Sequence, residues 1–269
     1  MKRFLIRRFI FGIISIIMAT FFVLILSRGS GDPLLLYANS GYGLTAESEK
    51  LLRKELRLDK HVIIQYFYWL RSTLQGDMGV TILDRKPVAR IVFQKLPSTL
   101  QLAAVSWVLA TIVGVPLGVL SAVRRATFLD YFGRSFALLG QAVPQFWLGL
   151  VFILIFAVYL DWLPAGLKGE SFWDIKYLVL PCITLAWGAM AGYLRLTRTA
   201  MLEVLDSEYI RLARAKGVAN SIVVWKHAFR NALIQPLTAS TLILSGFLTG
   251  AVLVETIFAW PGMGDAAIR

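Results

Sequence analysis

The stretch STLQLAAVSWVLATIVGVPLGVLSAV (Ser98–Val123) contains no Asp, Glu, Lys or Arg in 26 residues. About 20 apolar residues are enough for a helix to cross the hydrocarbon core of a bilayer. The stretch therefore predicts a membrane-spanning helix. Gly114 and Gly118 have the small-residue spacing that allows two membrane helices to approach closely.

Four further uncharged runs of similar length predict further spans. The whole chain is 57% hydrophobic and 16% charged, and its mean hydropathy is +0.67, which argues against an ordinary soluble domain. We therefore expect an all-α polytopic membrane protein that forms a single transmembrane domain over residues 1–269. The predicted spans are about 9–27, 98–123, 133–160, 177–199 and 231–254.

The first span follows the basic sequence MKRFLIRR, which is also typical of a signal peptide. Its apolar run is longer than the roughly 7–15 residues of a signal peptide, and no A-x-A cleavage site follows it. An uncleaved anchor is therefore favoured over a signal peptide. The single cysteine, Cys182, lies inside the fourth predicted span, so disulfides play no part in the predicted fold.

The net charge of +12 comes from basic clusters in alternate connections, which argues against nucleic acid as a partner. The clusters lie at 2–8, 124–134 and 195–230. Basic residues concentrate on the cytoplasmic side of membrane proteins. The N-terminus and the 200–230 loop are therefore predicted to be cytoplasmic, and the 28–97 loop to be extracytoplasmic.

Two helical patterns are predicted in the 28–97 loop. One begins with Thr45 as N-cap and has Leu51, Leu52 and Leu56 on one face. The other is the aromatic segment HVIIQYFYWLRSTLQ. We expect both to pack on the membrane surface or on neighbouring helices. His61 has no second ligand nearby and does not indicate a metal site.

The predicted spans lack features that would let this chain drive transport alone. The uncharged runs have no Asp, Glu, Lys or Arg to carry protons or coupling ions, and no convincing internal repeat is present. The chain also has no G-x-x-x-x-G-K-[ST] loop for ATP. We therefore expect a non-catalytic protein without a bound cofactor or metal, which depends on an outside source of energy.

The 200–230 loop predicts two helices joined by a glycine turn. Asp206 or Ser207 can cap the first helix, Gly217 suits the left-handed residue that ends it, and Asn220 or Ser221 can cap the second. Two interpretations remain open: a helix lying on anionic lipid, or a docking element for a soluble partner. The predicted apolar stripe consists of Leu202, Leu205, Tyr209, Leu212 and the stem of Lys216.

The segment EYIRLARAKG (208–217), followed by WKHAFRNAL (225–233), closely resembles the EAA loop of ABC importer permeases. The version is that of the dipeptide/oligopeptide/nickel permease family. The blocks LPSTLQLA, GVPLGVLSA, VPQFWLGL and VETIFAWPGMG extend the resemblance over nearly the whole chain. Two departures are visible: Arg211-Leu212-Ala213 replaces the Glu-Ala-Ala motif, and Gln235 is an extra residue before Pro236.

The resemblance implies a type I permease fold of the first-permease type, which has a long outer loop. Family members continue after WPG into a sixth helix, so the resemblance implies that this chain is truncated. It also implies a bacterial or archaeal cytoplasmic membrane and four kinds of partner. These are a homologous second permease, two cytoplasmic ATPase subunits that bind ATP and Mg, an extracytoplasmic solute-binding protein, and the lipid bilayer.

The same resemblance assigns a coupling helix that seats in a cleft of one ATPase. Its residues are Glu208, Tyr209, Arg211, Ala213, Arg214, Ala215, Lys216 and Gly217. Polar or helix-breaking positions in the spans are predicted to line the translocation path, although ordinary helix–helix hydrogen bonds explain any one of them equally well. They are Gln141, Pro144, Gln145, Asn231, Gln235 and Thr238.

The expected function is the import of short peptides or a related solute, such as a nickel chelate, glutathione, an opine or a sugar. The alternative is a channel, or a membrane adaptor that recruits a cytoplasmic partner without ATP-driven transport.

Overall fold

The computed structural model describes residues 1–29, 34, 50, 53–54, 57–81, 85–171 and 173–268. The predicted helix that begins at Thr45 lies mostly outside these residues. Where the structure is described, it is helical and contains no β-strand. This agrees with the all-α prediction.

The described helices follow one another along the chain with two π-helical interruptions. They are α1 (Lys2–Gly29), α2 (Val62–Leu74), α3 (Val88–Val123), α4 (Phe128–Ala142), α5 (Gln145–Phe152), α6 (Ile175–Leu205), α7 (Glu208–Ala215), α8 (Asn220–Ile222), α9 (Arg230–Ala232), α10 (Ile234–Ile257) and α11 (Met263–Ile268). The π-helical turns, Ile153–Tyr159 and Val223–Phe229, continue α5 and α8.

The chain divides into two compact units, Met1–Phe93 and Gln94–Arg269, where the sequence analysis treats it as one domain. In the first unit, α1 has no buried residue. Tyr66 of α2 packs on it: the Tyr66 hydroxyl lies 2.9 Å from Thr20 Oγ1 and donates to the Ile17 carbonyl at 3.0 Å. Contact between α1 and α2 is therefore concentrated at one aromatic side chain.

Four of the described helices are long and apolar enough to cross a membrane: α1, α3, α6 and α10. The predicted span 133–160 is instead broken, because α4 and the Gln145–Tyr159 segment are bent by 103°. Pro144 explains the break, since proline disfavours helical backbone in the residue before it, and Val143 has an extended ψ of 122°. The predicted span 133–160 therefore consists of two helical segments that meet at Pro144.

Helix α6 is the central helix of the second unit and packs against α4, α5 and α10. Its buried side chains include Ala186, Met190 and Tyr193. The Tyr193 hydroxyl lies 2.9 Å from Ser240 Oγ on α10, and Trp107 Nε1 of α3 donates to the same Ser240 oxygen at 2.8 Å. One serine thus links three helices inside an otherwise apolar core.

Glycines set the distance between α3 and α6. A Cβ added at Gly114 would lie 2.6 Å from the Met190 carbonyl oxygen, and one added at Gly118 would lie 2.7 Å from the Leu194 carbonyl oxygen. Backbone atoms cannot move aside as a side-chain end can. The small-residue spacing predicted from the sequence therefore lies at a close helix contact.

We expect Gly114→Ala to lower the free energy of unfolding by about 1–3 kcal/mol, the usual cost of overpacking. Gly192→Ala is the matched control, because a Cβ at Gly192 meets nothing within 4 Å in this chain, and alanine favours the helix by about 1 kcal/mol. Thermal unfolding of the two variants in detergent tests this. Equal midpoints would show that α3 does not depend on the close approach.

Glu255 is a buried acid one residue beyond the predicted span 231–254. Helix α10 extends to Ile257, so Glu255 lies within it, with 0% of its surface exposed. It accepts hydrogen bonds from Thr99 Oγ1 and the Gly264 N–H, both at 2.6 Å. Its desolvation is offset by these bonds, which buried charges require.

The end of α10 and the segment after it are tied to Ser98 and Thr99, which lie well inside α3, by these and neighbouring bonds. Trp260 Nε1 donates to the Ser98 carbonyl at 3.0 Å, and Lys168 Nζ donates to Ser98 Oγ at 3.1 Å. Burial lowers the pKa of Lys168 below its ordinary value. We call the contacts of Glu255 and Trp260 with Ser98 and Thr99 the Glu255 latch.

Candidate functional site: the α6–α10 connection

The predicted coupling segment begins where α6 ends. Asp206 closes α6, and Ser207 has extended backbone with a ψ of 152° before α7 begins at Glu208. The Ser207 hydroxyl donates back to the Val204 carbonyl instead of accepting from the first turn of α7. Ser207 therefore occupies the N-cap position, but the predicted side-chain cap is absent.

Gly217 ends α7 in a Schellman motif. Its φ is +76°, in the left-handed region that only glycine enters without strain. The Gly217 N–H donates to the Arg214 carbonyl at 2.9 Å, and the Val218 N–H donates to the Ala213 carbonyl at 3.2 Å. The predicted glycine turn is confirmed, and it fixes the direction of the chain after α7.

The buried face of α7 differs from the predicted stripe. Ile210 is fully buried and Ala213 is half-buried, whereas Tyr209 and Leu212 are 45% and 56% exposed. The predicted stripe treats α6 and α7 as one continuous helix. The extended backbone at Ser207 resets the helical phase, so that a different face turns inward.

Ile210 anchors α7 on a buried cluster from several helices. A side chain completely removed from water contributes about 1.5–3 kcal/mol, so Ile210 holds α7 against the body of the unit. The other members of the cluster include Val119, Ala122, Met201, Leu205, Val223, Val224 and Ala228.

The outer face of α7 contains nearly all the residues assigned to coupling. These residues are exposed, except for half-buried Ala213. Arg211 Nη1 pairs with Glu208 Oε1 at 2.9 Å on the surface, and exposed Ile222 and Trp225 lie on the following helical segment. The surface thus combines basic groups with apolar side chains.

The second helix of the connection starts earlier than predicted. Ala219 occupies the N-cap position of α8, so capping by Asn220 or Ser221 is a wrong prediction. The chain then runs through the π-helical turn and α9, and a single turn residue, Leu233, separates α9 from α10. This turn lies two residues before Gln235, the extra residue noted in the sequence.

A buried ion pair that the sequence analysis did not identify holds the end of α6. Asp130 of α4 is 1% exposed and receives two bonds from Arg198, Nε to Oδ1 at 2.7 Å and Nη2 to Oδ2 at 3.0 Å. Ser121 Oγ and the Ala126 N–H also donate to the Asp130 carboxylate. The only sequence signal is the placement of an acid and a serine beside basic residues near the ends of three helices.

The residues predicted to line a path are not brought together. Gln145 lines a cavity between α4–α5, α6 and α10, while Gln141 accepts from Arg195 Nη1 at 2.9 Å. Asn231 Nδ2 donates to the Tyr209 hydroxyl at 2.9 Å, which ties α9 to α7. The remaining three, Pro144, Gln235 and Thr238, are exposed.

The described residues were compared with the ligand sets that bind metal ions. No group of three or more His, Cys, Asp or Glu side chains there has the arrangement needed to hold an ion.

Comparison with known families finds two matching family models, which together cover most of the sequence. A family model described as "Binding-protein-dependent transport system inner membrane component" matches residues 114–269. The model for the N-terminal part, "Binding-prot-dependent transport system membrane comp, N-term", matches residues 1–103.

Curated relatives share this similarity over most of their length. The "Oligopeptide transport system permease protein AppB" of Bacillus subtilis is 37% identical over 272 residues, covering 98% of this chain and 85% of the relative. A "Putative peptide transport system permease protein" of Brucella suis is 37% identical over 261 residues, with coverages of 95% and 82%. The "Dipeptide transport system permease protein DppB" of Escherichia coli is 34% identical over 261 residues, with coverages of 87% and 77%.

Proposed function

This chain belongs to the family of binding-protein-dependent transport system inner membrane components, and from that premise we propose that it forms half of the translocation path of an ATP-driven peptide importer. Its relatives are named as permeases for peptides, oligopeptides or dipeptides. The chain is itself a multi-pass membrane subunit. Peptides are the proposed substrate class because these names agree on it.

The proposed complex contains this chain, a second permease, two ATPase subunits and a solute-binding protein. ATP and Mg belong to the ATPase subunits. The alternating basic connections support an orientation in which the N-terminus and α7 are cytoplasmic, and the proposed membrane is that of a bacterial or archaeal cell. The binding protein then approaches from the opposite side, where it delivers the peptide.

The exposed face of α7 is the observation that carries this proposal. The helix presents Tyr209, Leu212 and Arg214 outward, while Ile210 and the Schellman turn hold it to the body of the unit. An exposed basic and apolar surface on a rigidly held helix fits a groove on a partner protein. We propose that α7 is a lever that transmits motion and performs no chemistry itself.

The path from α7 to the membrane helices runs through two sets of contacts. Asn231 bonds Tyr209 and connects α7 to α9, next to α10. Arg198 and Asp130 connect the end of α6 to α4. When ATP binding draws the two ATPase subunits together, a pull on α7 therefore reaches α4, α6 and α10, and shifts the permease between two packed states.

The proposal predicts peptide uptake that requires ATP. The complex reconstituted in proteoliposomes is expected to accumulate a labelled dipeptide against its gradient with ATP, and to lose accumulation with a non-hydrolysable analogue. Complexes without the ATPase subunits serve as controls. Nucleotide-independent equilibration would identify a channel, and nucleotide-dependent partner binding without uptake would identify an adaptor.

A further inference from the structure

The break between α4 and α5 leaves a helix N-terminus without a cap. Pro144 is the N-cap of α5 and has no side-chain acceptor, and the Leu148 N–H is the one that bonds the Pro144 carbonyl, at 3.1 Å. Among the described residues, none accepts a hydrogen bond from the N–H groups of Gln145, Phe146 or Trp147. Such an end has partial positive charge and attracts anions.

This helix end lies at the wall of a cavity. The cavity has a volume of about 340 Å³ and is lined by Val143 and Gln145, on either side of Pro144. Gly188, Gly246 and Gly250 also line it, and a Cβ added at Gly246 or Gly250 meets nothing within 4 Å in this chain. The glycines therefore leave room for an occupant that this chain does not supply.

Two buried polar groups in the same wall lack partners within the described ranges of the chain. Thr184 is completely buried, and its Oγ1 has no hydrogen-bond partner there. Trp187 Nε1 is also buried without a partner, and an indole N–H can only donate. Leaving such groups unpaired costs about 1–3 kcal/mol each. Neither atom has accessible surface in this packing, so a ligand that pairs with them must first displace neighbouring side chains of the wall.

The wall offers an anion several donors and no competing charge. None of the residues that line the cavity is Asp, Glu, Lys or Arg. Gln145 Nε2 is held toward α6 by the carbonyls of Thr184 and Leu185, both at 3.3 Å, which fixes the start of α5 against α6. The helix end, the threonine hydroxyl and the indole N–H are thus on rigid elements.

We propose that this cavity binds the C-terminal carboxylate of the transported peptide, an inference that rests on the proposed function. A carboxylate has about four acceptor positions and takes up several donors at once. Broken membrane helices in transporters direct their N-termini at anionic substrate groups in the same way. The cavity would thus bind, transiently during transport, the C-terminal carboxylate that every unmodified peptide has.

Protection of a cysteine in the assembled complex tests the site without requiring transport. Gly246→Cys places a thiol in the cavity, and Leu242→Cys places one on the same helix, on a side chain that is 73% exposed and outside the cavity. Native Cys182 is buried and is expected to stay unmodified. Labelling of this chain by a small thiol reagent is followed by mass, with a dipeptide or its C-terminal amide as the competitor.

We expect both competitors to leave position 242 unprotected and the free dipeptide to protect position 246. The amide should need a concentration about tenfold higher for half-protection, as the loss of one charge-assisted hydrogen bond predicts. Gln145→Glu places a carboxylate at the first position of α5, where it stabilises the helix and competes with the ligand. In that background the free dipeptide should protect no better than its amide.

Thr184→Val removes the hydroxyl and keeps a similar side-chain shape. It is expected to reduce the difference between the concentrations of dipeptide and amide that give half-protection of position 246. Gln94→Glu is the control, because it introduces a negative charge at an exposed position outside the cavity. This variant should leave the difference in half-protection concentration unchanged. Equal half-protection by dipeptide and amide, absence of protection by either, or a position 246 closed to the reagent by the second permease would each overturn the proposal. If the labelling difference is present but ATP-driven uptake is absent, the importer assignment fails and the carboxylate site stands.

Discussion

Gly217→Pro is expected to abolish ATP-driven peptide uptake while the subunit still inserts into the membrane. Proline holds φ near −65°, whereas Gly217 has a φ of +76°. Proline also removes the N–H that donates to the Arg214 carbonyl at 2.9 Å. The Schellman turn therefore cannot form, and the surface of α7 that we propose as the ATPase contact is expected to be disrupted.

Gly217→Ala tests the backbone conformation of the turn without introducing a steric clash. A Cβ at this position meets nothing within 4 Å, so alanine suffers only the left-handed backbone penalty of about 1–2 kcal/mol. We expect reduced uptake with retained ATPase association, measured by co-purification and by uptake in proteoliposomes. Normal uptake by the proline variant would show that the turn is not needed for coupling.

Asp130→Ala is expected to lower the free energy of unfolding by about 3–5 kcal/mol, the usual cost of removing one partner of a buried pair. The substitution leaves the Arg198 guanidinium, whose side chain is 19% exposed, without its carboxylate. It also removes the acceptor for Ser121 Oγ and the Ala126 N–H. Denaturant titration of the purified subunit in detergent measures the change.

The exposed pair on α7 is the matched control. Arg211 and Glu208 are 2.9 Å apart, with side chains 65% and 88% exposed, and exposed pairs contribute about 0–1 kcal/mol. Arg211→Ala should therefore leave stability almost unchanged. The double variant Asp130→Ala/Arg198→Met should lose less than the sum of the two single losses, because it leaves no buried charge unpaired: Arg134, the other partner of Asp130 at 3.6 Å, is 46% exposed. Additive losses would contradict the assignment of Asp130 and Arg198 as a coupled pair.

The membrane helices were predictable because their signal is one of length and composition. The uncharged run Ser98–Val123 is sufficient to predict most of α3, and the left-handed turn at Gly217 follows from a residue type that tolerates it. These features depend on properties local to the chain. A single sequence contains such information directly.

The features that were missed depend on contacts between distant residues or on a change of helical phase. Pro144 interrupts a helix by its residue type, but packing decides whether the result is a mild kink or the observed bend of 103°. The burial of Ile210 in place of Leu212 follows from the extended backbone at Ser207. The partners of Asp130 and Glu255 come from other helices, so neither acid was distinguishable from a surface residue.

The Glu255 latch has a consequence for the order in which the protein is made. Thr99 and Glu255 are separated by 156 positions in the chain, so during synthesis α3 enters the membrane long before its acceptor exists. Until Glu255 and Trp260 leave the ribosome, Thr99 lacks the carboxylate that accepts its hydroxyl, and the Ser98 carbonyl has only its intrahelical bond. The part of α3 around Ser98 and Thr99 is therefore expected to reach its final position late, after α10 is inserted, as contacts of long sequence separation form slowly.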